Sequence, residues 1–109
     1  MVAARGRRRA DLIARLRQRL AERPPAGVAA VVLFGSVARN DFDGFSDIDL
    51  LVIGRDSLDR ALFDDLGRGV DVLAVPPAQA ATPAGAVAEA LAEGVVLWGS
   101  WDGLPPAPG

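Results

Sequence analysis

The amino-acid sequence predicts a small α/β domain in which a mixed sheet is flanked by helices. Short apolar runs rich in β-branched residues alternate with segments of helical periodicity. The run at residues 28–34 is apolar without interruption, which is typical of a strand buried on both faces, and residues 47–53 form a second run that is apolar apart from Asp47 and Asp49. The chain has 109 residues, enough for one domain with one core. We therefore expect a single sheet covered by helices.

Helical spacing is clearest near the N-terminus. The apolar positions there are Leu12, Ile13, Leu16 and Leu20. They predict an amphipathic helix from about residue 8 to residue 22, ended by Pro24 and Pro25. A second helix is expected over residues 57–66 with Ser57 as its N-cap, and a third over residues 83–93.

Four strands are expected between these helices, at residues 28–34, 47–53, 70–75 and 95–98. The segment between the first two strands predicts a helical turn over residues 37–39 and a tight turn rich in Asn, Asp and Gly over residues 40–44. Residues 1–99 are expected to form the domain. Residues 100–109 are rich in Pro and Gly and are expected to be mobile unless Trp98 or Trp101 docks them.

Composition excludes several classes of site. The sequence contains no Cys and no His, so disulfides, thiolate nucleophiles, zinc sites with imidazole ligands and Ser-His triads are excluded. A metal ion would need oxygen ligands. No apolar run reaches the roughly 18 residues of a membrane span, and no apolar signal-peptide core follows the Arg-rich start. We expect a soluble cytoplasmic protein.

The charges are unevenly distributed along the chain. Residues 1–23 contain eight arginines and two acidic residues, whereas residues 24–109 contain four arginines and twelve acidic residues. The basic segment is interpreted either as a solvated helix face or as a patch for an acidic partner or phosphates. Nucleic-acid binding is disfavoured because no aromatic residues are interleaved with the arginines and the pI is about 4.9.

Three aspartates are the candidate catalytic residues. Asp47 and Asp49 are two positions apart on a predicted strand, so their side chains point to the same face with Cα atoms about 6.6 Å apart. Asp71 lies on another predicted strand and can complete a triad. Gly35 and Ser36 follow the first strand, where a glycine allows close approach of a ligand and a hydroxyl and amides can hold phosphates. Oxygen ligands of this kind suit Mg²⁺ and phosphoryl transfer.

The spacing of these residues resembles a known signature. Gly35-Ser36, ten intervening residues and Asp47-Ile48-Asp49 match the GS-x10-DxD pattern of the DNA polymerase beta-like nucleotidyltransferase superfamily. The string GSVARNDFDGFSDIDLLV resembles the minimal nucleotidyltransferases (MNT), antitoxins paired with HEPN-domain toxins. The similarity extends over about residues 10–99 and implies the polymerase beta palm-like fold.

The resemblance also implies roles for the individual residues. Asp47 and Asp49 would be metal ligands that hold the triphosphate of ATP on two Mg²⁺ ions. Asp71 would be the third metal ligand and would help to activate the attacking hydroxyl. Gly35 and Ser36 would hold the β- and γ-phosphates.

Two positions of the connecting loop matter for this comparison. Arg39 matches the arginine of the family's GSxAR string and would bind nucleotide, but it could equally form a local ion pair with Asp41 or Asp43. Asn40 stands where the family usually has Gly. Asn tolerates a left-handed backbone better than most residues, so the turn is expected to survive.

The resemblance implies an antitoxin that transfers AMP from ATP to a tyrosine hydroxyl of a HEPN ribonuclease toxin and forms a hetero-oligomer with it. Larger relatives carry an additional acceptor-binding domain, for which this chain has no room, so the acceptor is expected on a partner. Two alternatives stay open. One is a non-catalytic antitoxin that masks its partner, and the other is a transferase acting on a small molecule such as an antibiotic or on a nucleic-acid end.

Overall fold

The computed structural model describes residues 2–35, 47–66, 69–102 and 104. The elements in chain order are α1 (Val2–Glu22), β1 (Val28–Phe34), β2 (Ile48–Gly54), a 3-10 helix (Arg60–Leu66), β3 (Val70–Val75), α2 (Pro77–Ala81), α3 (Gly85–Glu93) and β4 (Val95–Gly99). The predicted α/β class with a mixed sheet is confirmed. Across these ranges, no helix has both the length and the apolar character that a membrane crossing needs.

The described strands form one four-stranded sheet in the order β3-β2-β1-β4. β1 runs antiparallel to both of its neighbours, β2 and β4. β2 and β3 are parallel, and the 3-10 helix lies in the connection between them. The two central strands are β1 and β2, which explains why their sequences are apolar on both faces.

The strand bounds agree closely with the sequence prediction. β1 and β3 have the expected bounds, and β4 extends one residue further, to Gly99. β2 begins at Ile48 rather than Asp47, so that Asp47 lies immediately before the strand.

Each face of the sheet has its own hydrophobic cluster. Leu50 and Val52 of β2 pack in the first cluster together with α1 and with Phe63 of the 3-10 helix. Leu51 and Ile53 pack in the second cluster, which includes residues of α2 and α3. Because side chains alternate along a strand, Asp49 shares the face of the second cluster. Asp49 therefore lies at the margin of the sheet face that α2 and α3 cover.

The helices depart from the predictions more than the strands do. α1 begins at Val2 instead of about residue 8, because the Ala- and Arg-rich segment favours helix without an apolar period to reveal it. The regular helix predicted over residues 57–66 is wrong, because Arg60–Leu66 is a 3-10 helix. Its first turn is capped by Asp59 rather than Ser57: Ala61 N donates to Asp59 Oδ1 at 3.0 Å.

The proline pair after β3 ends the strand, as expected, but it also begins a helix that the sequence did not reveal. Pro76 is the N-cap of α2, and Pro77 occupies its first turn, where proline lacks an N–H that would be unsatisfied anyway. The third predicted helix starts at Gly85 rather than residue 83. The turns predicted over residues 37–44 lie outside the described residues.

Both tryptophans contact the core. Trp98 packs against the first cluster, and Trp101 and Leu104 pack against the second. Trp101 and Leu104 also line a groove of about 430 Å³ beside Ala80 and Leu91. The chain after β4 thus continues over the α2–α3 face at least as far as Leu104.

Replacing Trp101 with Ala is expected to lower the free energy of unfolding by about 1–2 kcal/mol, because a half-buried indole loses roughly half of the burial that a core tryptophan provides. Urea unfolding measures this change. Asp102→Ala is the matched control, since Asp102 is exposed in the same segment. This substitution should leave the urea concentration at the unfolding midpoint unchanged. An unchanged midpoint for Trp101→Ala would mean that the segment contributes nothing to stability.

Candidate functional site

Two of the three candidate acids lie side by side in the sheet. Asp49 of β2 and Asp71 of β3 are direct partners in the parallel register, and neighbouring strands are about 4.8 Å apart. Asp49 is half-buried and Asp71 is exposed. Their carboxylates therefore leave the same face of adjacent strands, close enough to share one cation.

Gly35 lies against the first of these acids. Phe34, the last residue of β1, is the register partner of Asp49, and Gly35 follows it with φ at +78°. A Cβ atom at Gly35 would collide with Asp49 Oδ2. The left-handed backbone therefore favours a glycine here, and a residue with a Cβ atom would also have to displace the carboxylate of Asp49.

Asp47 lies next to another glycine. It is exposed, one residue before β2, and a Cβ atom at Gly69 would be 2.6 Å from Asp47 Oδ1. Gly69 immediately precedes β3, and its carbonyl oxygen accepts a hydrogen bond from Ile48 N at 2.9 Å. The start of β3 thus contacts Asp47 as well as carrying Asp71.

The fold therefore brings Gly35, Asp47, Asp49 and Asp71 to one end of the sheet. Ser36 and Arg39, the remaining predicted site residues, lie outside the described residues. In the part of the chain that the structure covers, no three acidic side chains lie close enough together to enclose a metal ion. The backbone register places two carboxylates together and the third at the adjacent strand end, but their side chains do not form a closed cage.

The donor set at this end of the sheet fits Mg²⁺. All the candidate ligands are carboxylate oxygens, which hard divalent cations prefer, and Mg²⁺ commonly binds one or two carboxylates together with substrate phosphates and water. Adjacent carboxylates also repel each other, and a cation offsets that repulsion. An acidic strand end of this kind can accept a metal-bound polyphosphate.

The groove lined by arginines of α1 lies away from the acidic end of the sheet. Arg15, Arg19 and Arg23 line a groove of about 680 Å³ between the C-terminal half of α1 and the 3-10 helix. α1 ends near the start of β1, whereas the acids lie at the other end of that strand, about 20 Å away at 3.3 Å per residue. This groove is therefore not part of the acidic site.

Two arginines of α1 make structural contacts. Arg17 Nη2 donates to Val96 O at 2.9 Å, and Arg19 Nη1 donates to Leu62 O at 3.2 Å. These bonds tie α1 to β4 and to the 3-10 helix. Arg17 and Arg19 thus help to hold the helix against its neighbours.

Gly69 lies beside Asp47, although its position in the sequence predicted no role for it. The available signal was its place directly before the strand that carries Asp71, but its contact with Asp47 depends on the parallel pairing of β2 and β3, which the sequence does not specify.

The fold is similar to that of several solved toxin-antitoxin structures. The crystal structure of a toxin-antitoxin with AMP-PNP superposes with a TM-score of 0.56 at 24% identity, covering 81% of this chain and 73% of that chain. A mutant of the toxin-antitoxin MntA-HpeT superposes with a TM-score of 0.53 at 24% identity, covering 76% and 69% of the two chains. A tri-AMPylated Shewanella oneidensis HEPN toxin in complex with MNT antitoxin matches with a TM-score of 0.45 at 23% identity, covering 92% and 74%. The first two similarities establish a shared fold.

Sequence comparison gives the family. None of the curated proteins is detectably similar to this sequence. Residues 13–97 match the nucleotidyltransferase domain, a span that includes β1 to β3 and all of the candidate site residues. The chain therefore belongs to the nucleotidyltransferase domain family.

Proposed function

We propose that this protein is an antitoxin that transfers AMP from ATP to a tyrosine hydroxyl of a partner HEPN ribonuclease toxin and thereby inactivates it. The observation that carries this proposal is the register pairing of Asp49 with Asp71 beside Gly35. These residues come from separate parts of the sequence and meet at one end of the sheet, as a nucleotidyl-transfer site requires.

Three further findings support the proposal. The chain belongs to the nucleotidyltransferase domain family. The GS-x10-DxD spacing and the string around it resemble the minimal nucleotidyltransferases in particular. A toxin-antitoxin structure that shares the fold holds AMP-PNP, an analogue of ATP.

In this proposal Asp47, Asp49 and Asp71 are the residues that would hold two Mg²⁺ ions. When bound, such ions would supply positive charge to stabilise the negative charge that develops on the phosphoryl oxygens. Gly35 gives the triphosphate close access to the backbone, and Ser36 and Arg39 contribute further contacts to the phosphates. Asp71 is exposed on the edge strand β3, so an incoming hydroxyl can reach it.

The proposed reaction is an in-line displacement at the α-phosphorus of ATP. The tyrosine oxygen forms a new bond to that phosphorus, and the bond from the phosphorus to the oxygen bridging to the β-phosphate breaks. Pyrophosphate leaves, and Asp71 accepts the hydroxyl proton. Each cycle consumes one ATP and adds one AMP to the partner.

The acceptor tyrosine must belong to another chain, because this sequence contains no tyrosine. The acids are consistent with an acceptor that arrives from outside: Asp47 and Asp71 are exposed, and β3 is an edge strand of the described sheet. We therefore propose a hetero-oligomer with the HEPN protein, acting in the cytoplasm.

The proposal is tested by incubating the chain with ATP, Mg²⁺ and the HEPN-domain product of the adjacent gene, followed by intact-mass spectrometry of the partner. We expect the partner mass to increase in steps of one AMP. Asp47→Asn should abolish the increase, because it removes a charge that the metal and triphosphate require. Asp64→Asn is the matched control, since Asp64 is an exposed acid of the 3-10 helix, and it should transfer AMP as the wild type does.

The same assay distinguishes the alternatives. An unmodified partner whose ribonuclease is inhibited equally by the wild type and by Asp47→Asn would overturn the transfer proposal in favour of masking. Absence of a HEPN gene beside this one, together with AMP transfer to a small molecule, would favour a different acceptor.

A further inference from the structure

Gly69 and Asp47 form a contact that no part of the proposed reaction explains. A Cβ atom built on Gly69 would be 2.6 Å from Asp47 Oδ1 and 3.1 Å from its Cγ. Both distances are shorter than the contacts that carbon normally makes with oxygen or carbon. The Asp47 carboxylate therefore occupies the space in which any other residue at position 69 would place its side chain.

The backbone conformation does not explain why this position is a glycine. Gly69 lies outside the left-handed region that favours glycine, unlike Gly35 with its φ of +78°. It is also exposed, so core packing does not require a small residue. The three nearest atoms that a Cβ atom at this position would meet all belong to the Asp47 carboxylate.

Gly69 is fixed in place by the sheet itself. Its carbonyl oxygen accepts a hydrogen bond from Ile48 N at 2.9 Å, and the next residue, Val70, is the register partner of Ile48. This bond links the start of β3 to the peptide that directly follows Asp47. Gly69 cannot move away from Asp47 without breaking the first hydrogen bond of the parallel pair.

We propose that Gly69 is a positioning residue that keeps Asp47 in place for binding of the metal-bound nucleotide. This inference rests on the proposed function, because Asp47 matters only if the site binds a nucleotide. A side chain at position 69 would displace the Asp47 carboxylate from its position beside the start of β3. Because Asp47 is exposed and its carboxylate can rotate into solvent, this displacement should affect ligand binding far more than folding.

The test compares Gly69→Ala with the wild type in binding of AMP-PNP with Mg²⁺ by the full chain, measured by calorimetry and by thermal shift at high ligand concentration. We expect binding to weaken by about 10-fold, as when the support of a metal ligand is lost. The melting temperature without ligand should remain within about 2 °C of the wild type, because alanine is compatible with this backbone.

A double-mutant cycle shows whether Gly69 acts through Asp47. In an Asp47→Ala background the carboxylate is absent, so Gly69→Ala should cause no further loss of binding. Equal losses in both backgrounds would overturn the positioning role, as would unchanged binding by Gly69→Ala in a chain whose wild type binds. Failure of the wild type itself to bind AMP-PNP with Mg²⁺ would overturn the proposed function and this inference together.

Discussion

Replacing Asp49 with Asn is expected to abolish AMP transfer while leaving the folded domain as stable as the wild type. Asn has nearly the same shape as Asp but lacks the charge, so the change removes a metal ligand without opening a cavity. We expect transfer to fall by at least about 100-fold, equivalent to about 2.7 kcal/mol of lost transition-state stabilisation. Initial rates of AMP transfer to the partner measure this effect.

The pairing of Asp49 with Asp71 across β2 and β3 determines the expected stability. Two like charges on adjacent strands repel, and without a cation that repulsion opposes folding. Because Asn keeps the shape of Asp49 and removes one of the two like charges, the melting temperature in metal-free buffer should stay close to that of the wild type. Added Mg²⁺ should raise the melting temperature of the wild type more than that of Asp49→Asn. A parallel loss of activity and stability would instead indicate that Asp49 serves the fold.

The central strands could be predicted from the sequence because burial on both faces leaves a clear pattern. Each has a nearly continuous apolar run bounded by Gly or by charged residues, so β1 and β2 were located to within one residue. Asp47 and Asp49 were found from their two-residue spacing on a predicted strand and from the GS-x10-DxD pattern. The role of Asp71 was implied by the resemblance to the nucleotidyltransferases, before its pairing with Asp49 was known.

The pairing between strands could not be predicted in the same way. That β2 lies parallel to β3, with Asp49 opposite Asp71, depends on contacts between residues far apart in the chain. The same contacts bring Gly69 to Asp47. Local pattern also failed at the 3-10 helix, where the spacing of Leu58, Leu62 and Leu66 indicated a regular helix; all three leucines still pack against the first cluster.

Replacing Gly35 with Ala is expected to impair both stability and transfer, for two separable reasons. The φ of +78° at Gly35 is strained for any residue with a Cβ, at a cost of about 1–2 kcal/mol. The added methyl group would also collide with Asp49 Oδ2 and displace the carboxylate from its position beside Gly35. We expect a further loss of transfer by about 10- to 100-fold per folded molecule, the range seen when the support of a metal ligand is lost.

Gly85 provides the matched control that separates the two effects. Its φ is +58°, and a Cβ atom there would have no neighbour within 4 Å. Gly85→Ala therefore introduces similar backbone strain at the start of α3 without touching the acids. Both variants should lose about 1–2 kcal/mol in urea unfolding, but only Gly35→Ala should lose transfer when rates are measured well below the unfolding midpoint. If both variants retained full activity, the contact between Gly35 and Asp49 would have no part in catalysis; if both lost it equally, backbone strain alone would explain the loss.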